Sequence, residues 1–147
     1  MEFKLEQLSP SNLESIFNAA YVDAKVNEEE TYCDLKVNYK TGVWADTSRH
    51  KLSFSYIASL DDSFDKESAN HLVNALNEGL GLLNIYCLDK KDKEDLITLV
   101  FRYEHTVFDY LSINGKTLIN LHRLFEQKIG ESYRIYTKIK EEIAQSK

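Results

Sequence analysis

The chain has 147 residues, 43% of them hydrophobic and 12% aromatic. That is enough for one ordinary domain with its own core, and too much apolar surface for a disordered chain. Eighteen Lys and Arg stand against 24 Asp and Glu, for a net charge of -6. No basic stripe of the kind that binds nucleic acid or an anionic membrane is visible, while the acidic balance leaves room for a basic protein partner.

The chain opens with MEFKLEQLSP, charged from residue 2 and without the apolar run of a signal peptide. No stretch approaches the ~20 apolar residues of a membrane helix. A cytoplasmic location is expected. Cys33 and Cys87 read as reduced, buried thiols.

Ser9-Pro10 is an N-cap followed by proline at the first helical position. Leu13, Ile16, Phe17 and Ala20 then make one apolar helix face, ending near Tyr21. From Val22 the period becomes two. Val22, Ala24 and Val26 suggest a short strand, and Glu28-Glu29-Glu30 a solvated loop. TYCDLKVNYK places Cys33, Leu35, Val37 and Tyr39 on one strand face. A turn is expected at Thr41-Gly42, a short strand at VWAD, and a second turn at Asp46–Arg49. The next strand puts Leu52, Phe54, Tyr56 and Ala58 on one face, which completes a meander.

Ala69, Leu72, Val73, Leu76 and Leu80 restore a helical stripe, capped by Asp65 or Ser63 and ended by Gly79 and Gly81. LLNIYCLD and DLITLVFRYE form a hairpin joined by the charged DKKDKED segment. TVFDYLSI either extends the strand or crosses over. After Asn114-Gly115 a long helical pattern runs through Leu118, Leu121, Leu124, Phe125 and Ile129. Past Gly130 it resumes with Tyr133, Tyr136, Ile139 and Ile143, in one helix or two.

Chemical motifs fail one by one. The five glycines form no phosphate-binding loop, and Gly79-Leu80-Gly81 precedes a strand rather than opening a helix. No nucleophile elbow is present. Both cysteines fall on apolar strand faces, where burial raises a thiol pKa. His50, His71, His105 and His122 lack metal-pair spacing, and His71 and His122 read as boundary residues beside Leu72 and Leu121. Asp61, Ser63, Asp65 and Glu67 imitate a calcium loop, but Lys66 stands where the turn needs glycine and Leu72 where it needs Glu. Glu104-His105 is the remaining acid/base pair, and a polar strand end explains it as well. No catalytic residue, cofactor or metal ligand is assigned.

The surface offers more. Tyr133, Tyr136, Ile139 and Ile143 form a near-heptad stripe that packs on its own domain or docks a partner helix or second copy. Trp44, on a short strand that could form an edge, is either a core anchor or an exposed hot spot. These five residues are the expected interaction surface.

Three elements carry a family resemblance: the helix with Asn70, Asn74 and Asn77 leading into LLNIYCLD, the return LITLVFRYE, and Ser112-Ile113-Asn114-Gly115 opening the last helix. Over about residues 31–129 the chain resembles the bacterial sensory transduction regulator family, whose fold is like that of type III secretion chaperones. The resemblance implies a non-enzymatic α+β module tied to regulation or protein binding, and it transfers no catalytic residues.

The expectation is one α+β domain over residues 1–147. It has an antiparallel sheet of about five strands, helices mainly on one face, and the order α-β-β-β-α-β-β-α. Residues 131–147 extend the last helix. The expected function is a cytoplasmic protein-binding or regulatory module, chaperone-like and without enzymatic activity. Its partner is an unidentified protein or, as a homodimer, a second copy, with no nucleic acid and no membrane. The alternative is an acidic inhibitor or immunity-type protein that neutralises a basic enzyme.

Overall fold

A computed structural model describes residues 1–88 and 96–146. The basic run at Lys90, Lys91 and Lys93, and the segment joining the second hairpin, lie outside the described residues. The fold is α+β, built on an antiparallel sheet. In chain order the elements are β1 (Glu2–Phe3), α1 (Pro10–Ala19), β2 (Asp23–Val26), β3 (Cys33–Lys36), β4 (Lys40–Asp46) and β5 (Lys51–Ser59). There follow α2 (Lys66–Leu80), β6 (Asn84–Leu88), β7 (Thr98–Thr106), β8 (Ile113–Asn114) and α3 (Gly115–Gln145). Six strands hydrogen-bond in the order β2-β3-β4-β5-β7-β6, and β1 pairs separately with β8.

The strand count exceeds the expected five because β2 joins the sheet, with Ala24 opposite Leu35 and Val26 opposite Cys33. The β1–β8 pair has no period-two pattern to betray it, being only two residues long on each side. Thr41-Gly42 is not a turn. Both residues lie inside β4, where Gly42 pairs with Asp34 and the ring of Tyr32 lies over it. The reversal falls instead at Val37–Tyr39. Its backbone N–H groups are held by a side chain: the Glu126 carboxylate accepts from Asn38 N at 2.9 Å and Tyr39 N at 3.0 Å.

The chain divides into two compact units, Met1–Tyr56 with Tyr103–Glu126, and Ile57–Arg102 with Gln127–Lys147. In the first, Leu13 and Phe17 of α1, Leu35, Val43 and Phe54 of the strands, and Leu118 and Phe125 of α3 form the core. In the second, Phe64, Leu72, Leu76, Ile85, Leu99, Ile129 and Ile139 do so. Full burial of each such side chain contributes roughly 1.5–3 kcal/mol.

α3 is one helix, with Gly130 inside it on an exposed face. Its inward seam runs Leu118, His122, Phe125, Ile129, Ser132, Tyr136, Ile139, Ile143, a 4-3 alternation kept without interruption across Gly130. Tyr133 lies off that seam and is 48% exposed.

Gly79 does not end α2 either. A Cβ there would stand 2.7 Å from Ile135 Cδ1, so the missing side chain lets α3 approach α2. Gly81 is the terminator, with φ +59°. Asp65 caps α2 by accepting from Ser68 N at 2.8 Å, and the Ser68 hydroxyl accepts in return from Asp65 N at 2.9 Å. This reciprocal cap is the capping-box device with Asp and Ser as the partners.

Candidate interaction surface

Glu104 and His105 are neighbours on β7, and successive strand residues point to opposite faces. Glu104 pairs with Arg49 at 2.9 Å. His105 instead lines a cleft of about 130 Å³ with Glu2, Ser112, Asn114 and Thr117. Burial first, and the charge of Lys51 second, lower its pKa. The two side chains therefore make no acid/base dyad.

His122 is not a boundary residue. It is 1% exposed and packed edge-on to Phe17 at 5.7 Å and face-to-face near Phe54 at 6.4 Å. Its Nε2 has no hydrogen-bond partner among the described residues. Burial depresses its pKa, against the opposing pull of Glu126 one turn on. The ring acts as a core aromatic. Cys33 is fully buried, and desolvation pushes its thiol up to about 11, far from a nucleophile's range.

The calcium-like spacing has a structural explanation. Asp61 accepts from the Ser63 hydroxyl, from Lys140 Nζ at 2.6 Å and from the Tyr136 hydroxyl at 3.2 Å. The Lys140 contact holds its carboxyl well below the ordinary range. Asp65 is the α2 cap. Among the described residues no group of three or more His, Cys, Asp or Glu is placed to hold a metal. None of the helices there is long and apolar enough to cross a membrane.

The five surface residues read from the sequence fall in different places. Trp44 is on β4, an inner strand of the sheet rather than an edge, opposite Ser53 and half-buried. Tyr136 stacks on Phe64 at 5.6 Å, and Ile139 is buried. Ile143 is half-buried and Tyr133 is exposed. The tail thus spends its inward face on its own unit, alongside α2, with Glu142 3.7 Å from His71.

A surface missed from the sequence lies at the end of the first unit, on the loop after β7. Phe108 and Tyr110 stack with ring centroids 5.9 Å apart and planes 6° from parallel. His50 tilts against Phe108 at 6.0 Å. Tyr110 is 80% exposed, and Phe108 and Leu111 are nearly half exposed. The ledge is fixed from below: Val107 N donates to His50 O at 2.8 Å, and Lys51 Nζ donates to Thr106 Oγ1 at 2.8 Å. His50 itself takes the left-handed conformation, φ 55°, that closes the β4–β5 turn. The sequence signal was FDYL, an aromatic pair two apart just past a strand pattern. Its ambiguity between strand and crossover hid it.

No family model matches the sequence, and no curated protein matches it. Among solved structures, the chain is similar to YbjN of E. coli, provisionally named a transcription regulator. The TM-score is 0.67 at 14% identity, over 92% of each chain. It is also similar to an uncharacterised protein from Methanothermobacter thermautotrophicus, with a TM-score of 0.58 at 10% identity, over 90% of this chain and 99% of that one. At these identities the likeness is one of fold.

Proposed function

We propose that the chain is a protein-binding or regulatory module without catalytic chemistry, and that it binds through the His50–Phe108–Tyr110–Leu111 ledge. The carrying observation is the exposure of a preformed aromatic stack on a loop. Monomers seldom expose contiguous aromatic surface without use, and rigid aromatic side chains cost little entropy to dock. The fold shared with YbjN supports a regulatory role, and among the described residues the histidines, carboxylates and buried thiol are scattered. The chaperone-like character and cytoplasmic setting belong to the same reading. The acidic-inhibitor alternative rests on the net charge of -6.

The test is site-specific photo-crosslinking in native lysate. Tyr110→p-benzoylphenylalanine should give discrete adducts, while the same residue placed at exposed Lys138 should give none. Equal or absent adducts at the two positions would sink the reading.

A further inference from the structure

We infer that the ledge recognises an arginine side chain of a partner protein, with the guanidinium laid on the Tyr110 ring and paired with Asp109. The inference rests on the ledge being a binding surface and names what it binds.

Two observations meet here. Tyr110 presents one ring face to Phe108 and leaves the other outward. An open aromatic face attracts cations through its quadrupole, and a planar guanidinium stacks on it better than an ammonium. Between the two rings in sequence stands Asp109, 88% exposed at its side chain, with a carboxylate oxygen 3.2 Å from His50 Nδ1. A carboxylate next in sequence to an open aromatic ring suits an arginine, which can stack and donate a fork of hydrogen bonds together.

The two cations that flank His50 in sequence are engaged elsewhere. Arg49 is held between Asp46, at 3.8 Å, and Glu104, at 2.9 Å. Lys51 donates to Thr106. The chain's net negative charge would draw a basic partner, whereas an anionic membrane or a nucleic acid would be repelled.

The test uses the full chain, ¹⁵N-labelled, titrated with a flexible Gly-Ser peptide carrying several arginines. The control peptide has citrulline at those positions. The arginine peptide should move the amide signals of Asp109 and Tyr110, and the citrulline peptide should not. Tyr110→Ala should weaken binding roughly two- to five-fold. Asp109→Asn should do so to a similar extent and flatten the salt dependence. Both residues are exposed, and unchanged circular dichroism would show that the variants fold.

Shifts spread over the whole acidic surface, with equal affinity in Tyr110→Ala, would overturn the inference as unspecific attraction. Equal binding of an uncharged Leu- and Phe-bearing peptide at Tyr110 would overturn the arginine assignment and leave the docking surface standing. Loss of photo-crosslinking at position 110 with arginine binding intact would instead remove the larger functional reading.

Discussion

The two edges of the six-stranded sheet are closed by the same device, built from different sequences. At one edge, Asn18 near the end of α1 grips Ala24 of β2. Its amide nitrogen donates to Ala24 O at 3.2 Å, and its amide oxygen accepts from Ala24 N at 3.1 Å. At the other, Asn77 near the end of α2 grips Ile85 of β6 with the same pair of bonds, at 2.8 and 2.9 Å. An unpaired edge strand is a template for association, and here a primary amide mimics the missing strand. The approach to each clamp differs. After α1 the chain turns through Tyr21 at φ 63°, with Tyr21 N bonded to Asn18 O and Val22 N to Phe17 O, a Schellman ending. After α2 it turns through Gly81 and Leu82, both at φ 59°. The first edge also has a second closure, from Val26 N to Glu14 Oε2 at 2.7 Å. Side chains of a preceding helix can thus finish a sheet, and several local turns will deliver them.

The largest effect should come from a different side chain that satisfies open backbone groups, Glu126 on the Val37–Tyr39 reversal. Glu126 is 7% exposed, and its carboxylate takes two backbone N–H groups. Glu126→Ala should lower stability by about 2–4 kcal/mol, because both donors lose their acceptor in a mostly dry place. Urea unfolding measures it, and a change under 1 kcal/mol would mean that water replaces the carboxylate freely. The wild-type curve read against pH tests the neighbouring His122. Its folded pKa is depressed, so the unfolded chain binds the proton more readily. Stability should be full above the unfolded value, roughly 6.5, and fall as pH drops below it.

Next in size is Gly81. Its φ of +59° with ψ 167° is a conformation available almost only to glycine, while none of the described residues stands within 4 Å of where a Cβ would go. Gly81→Ala should therefore cost about 1–3 kcal/mol from backbone strain alone. Gly79→Ala is the internal contrast, since that position is helical and would only push the flexible end of Ile135. If the two substitutions cost the same, the division between a glycine for conformation and a glycine for space is wrong.

The helices and the main strands were legible because their burial is periodic. The stripe Ala69, Leu72, Leu76, Leu80 and the cap at Asp65 follow from spacing and side-chain chemistry alone. What stayed hidden was whatever breaks the polar-out rule. His122 and Ser132 occupy seam positions of α3, so an apolar count shifted the tail stripe onto Tyr133 and made Gly130 look like a boundary. The Asn clamps were visible as asparagines near helix ends, but their targets lie six and eight residues on, a spacing that no motif flags. The ledge was hidden for a different reason, since exposed aromatics carry no period.

Asn18→Ala and Asn77→Ala should each cost about 1–2 kcal/mol, since water can reach the strands once the amide is gone. Their second effect sharpens the comparison. Among the described residues the β6 edge shows no second carboxylate closure like that of Glu14, so Asn77→Ala should self-associate at lower concentration than Asn18→Ala. Light scattering over a dilution series reads the difference. Association equal in both variants, or greater for Asn18→Ala, would show that Glu14 adds nothing to edge closure.

The smallest effect is the most pointed. Tyr21 holds a left-handed conformation that costs a side-chain-bearing residue roughly 1–2 kcal/mol, and its side chain is 99% exposed. Glycine at that position removes the strain but loses more entropy on folding, roughly 0.5–1 kcal/mol. Tyr21→Gly should therefore stabilise the chain by about 0.5–1 kcal/mol, and Tyr21→Asn by less. Thermal unfolding of the three chains ranks them. A loss of stability in Tyr21→Gly would mean that the ring earns its place through a contact made only in solution. The α1 junction would then be a second docking point rather than a counterpart of the glycine turn after α2.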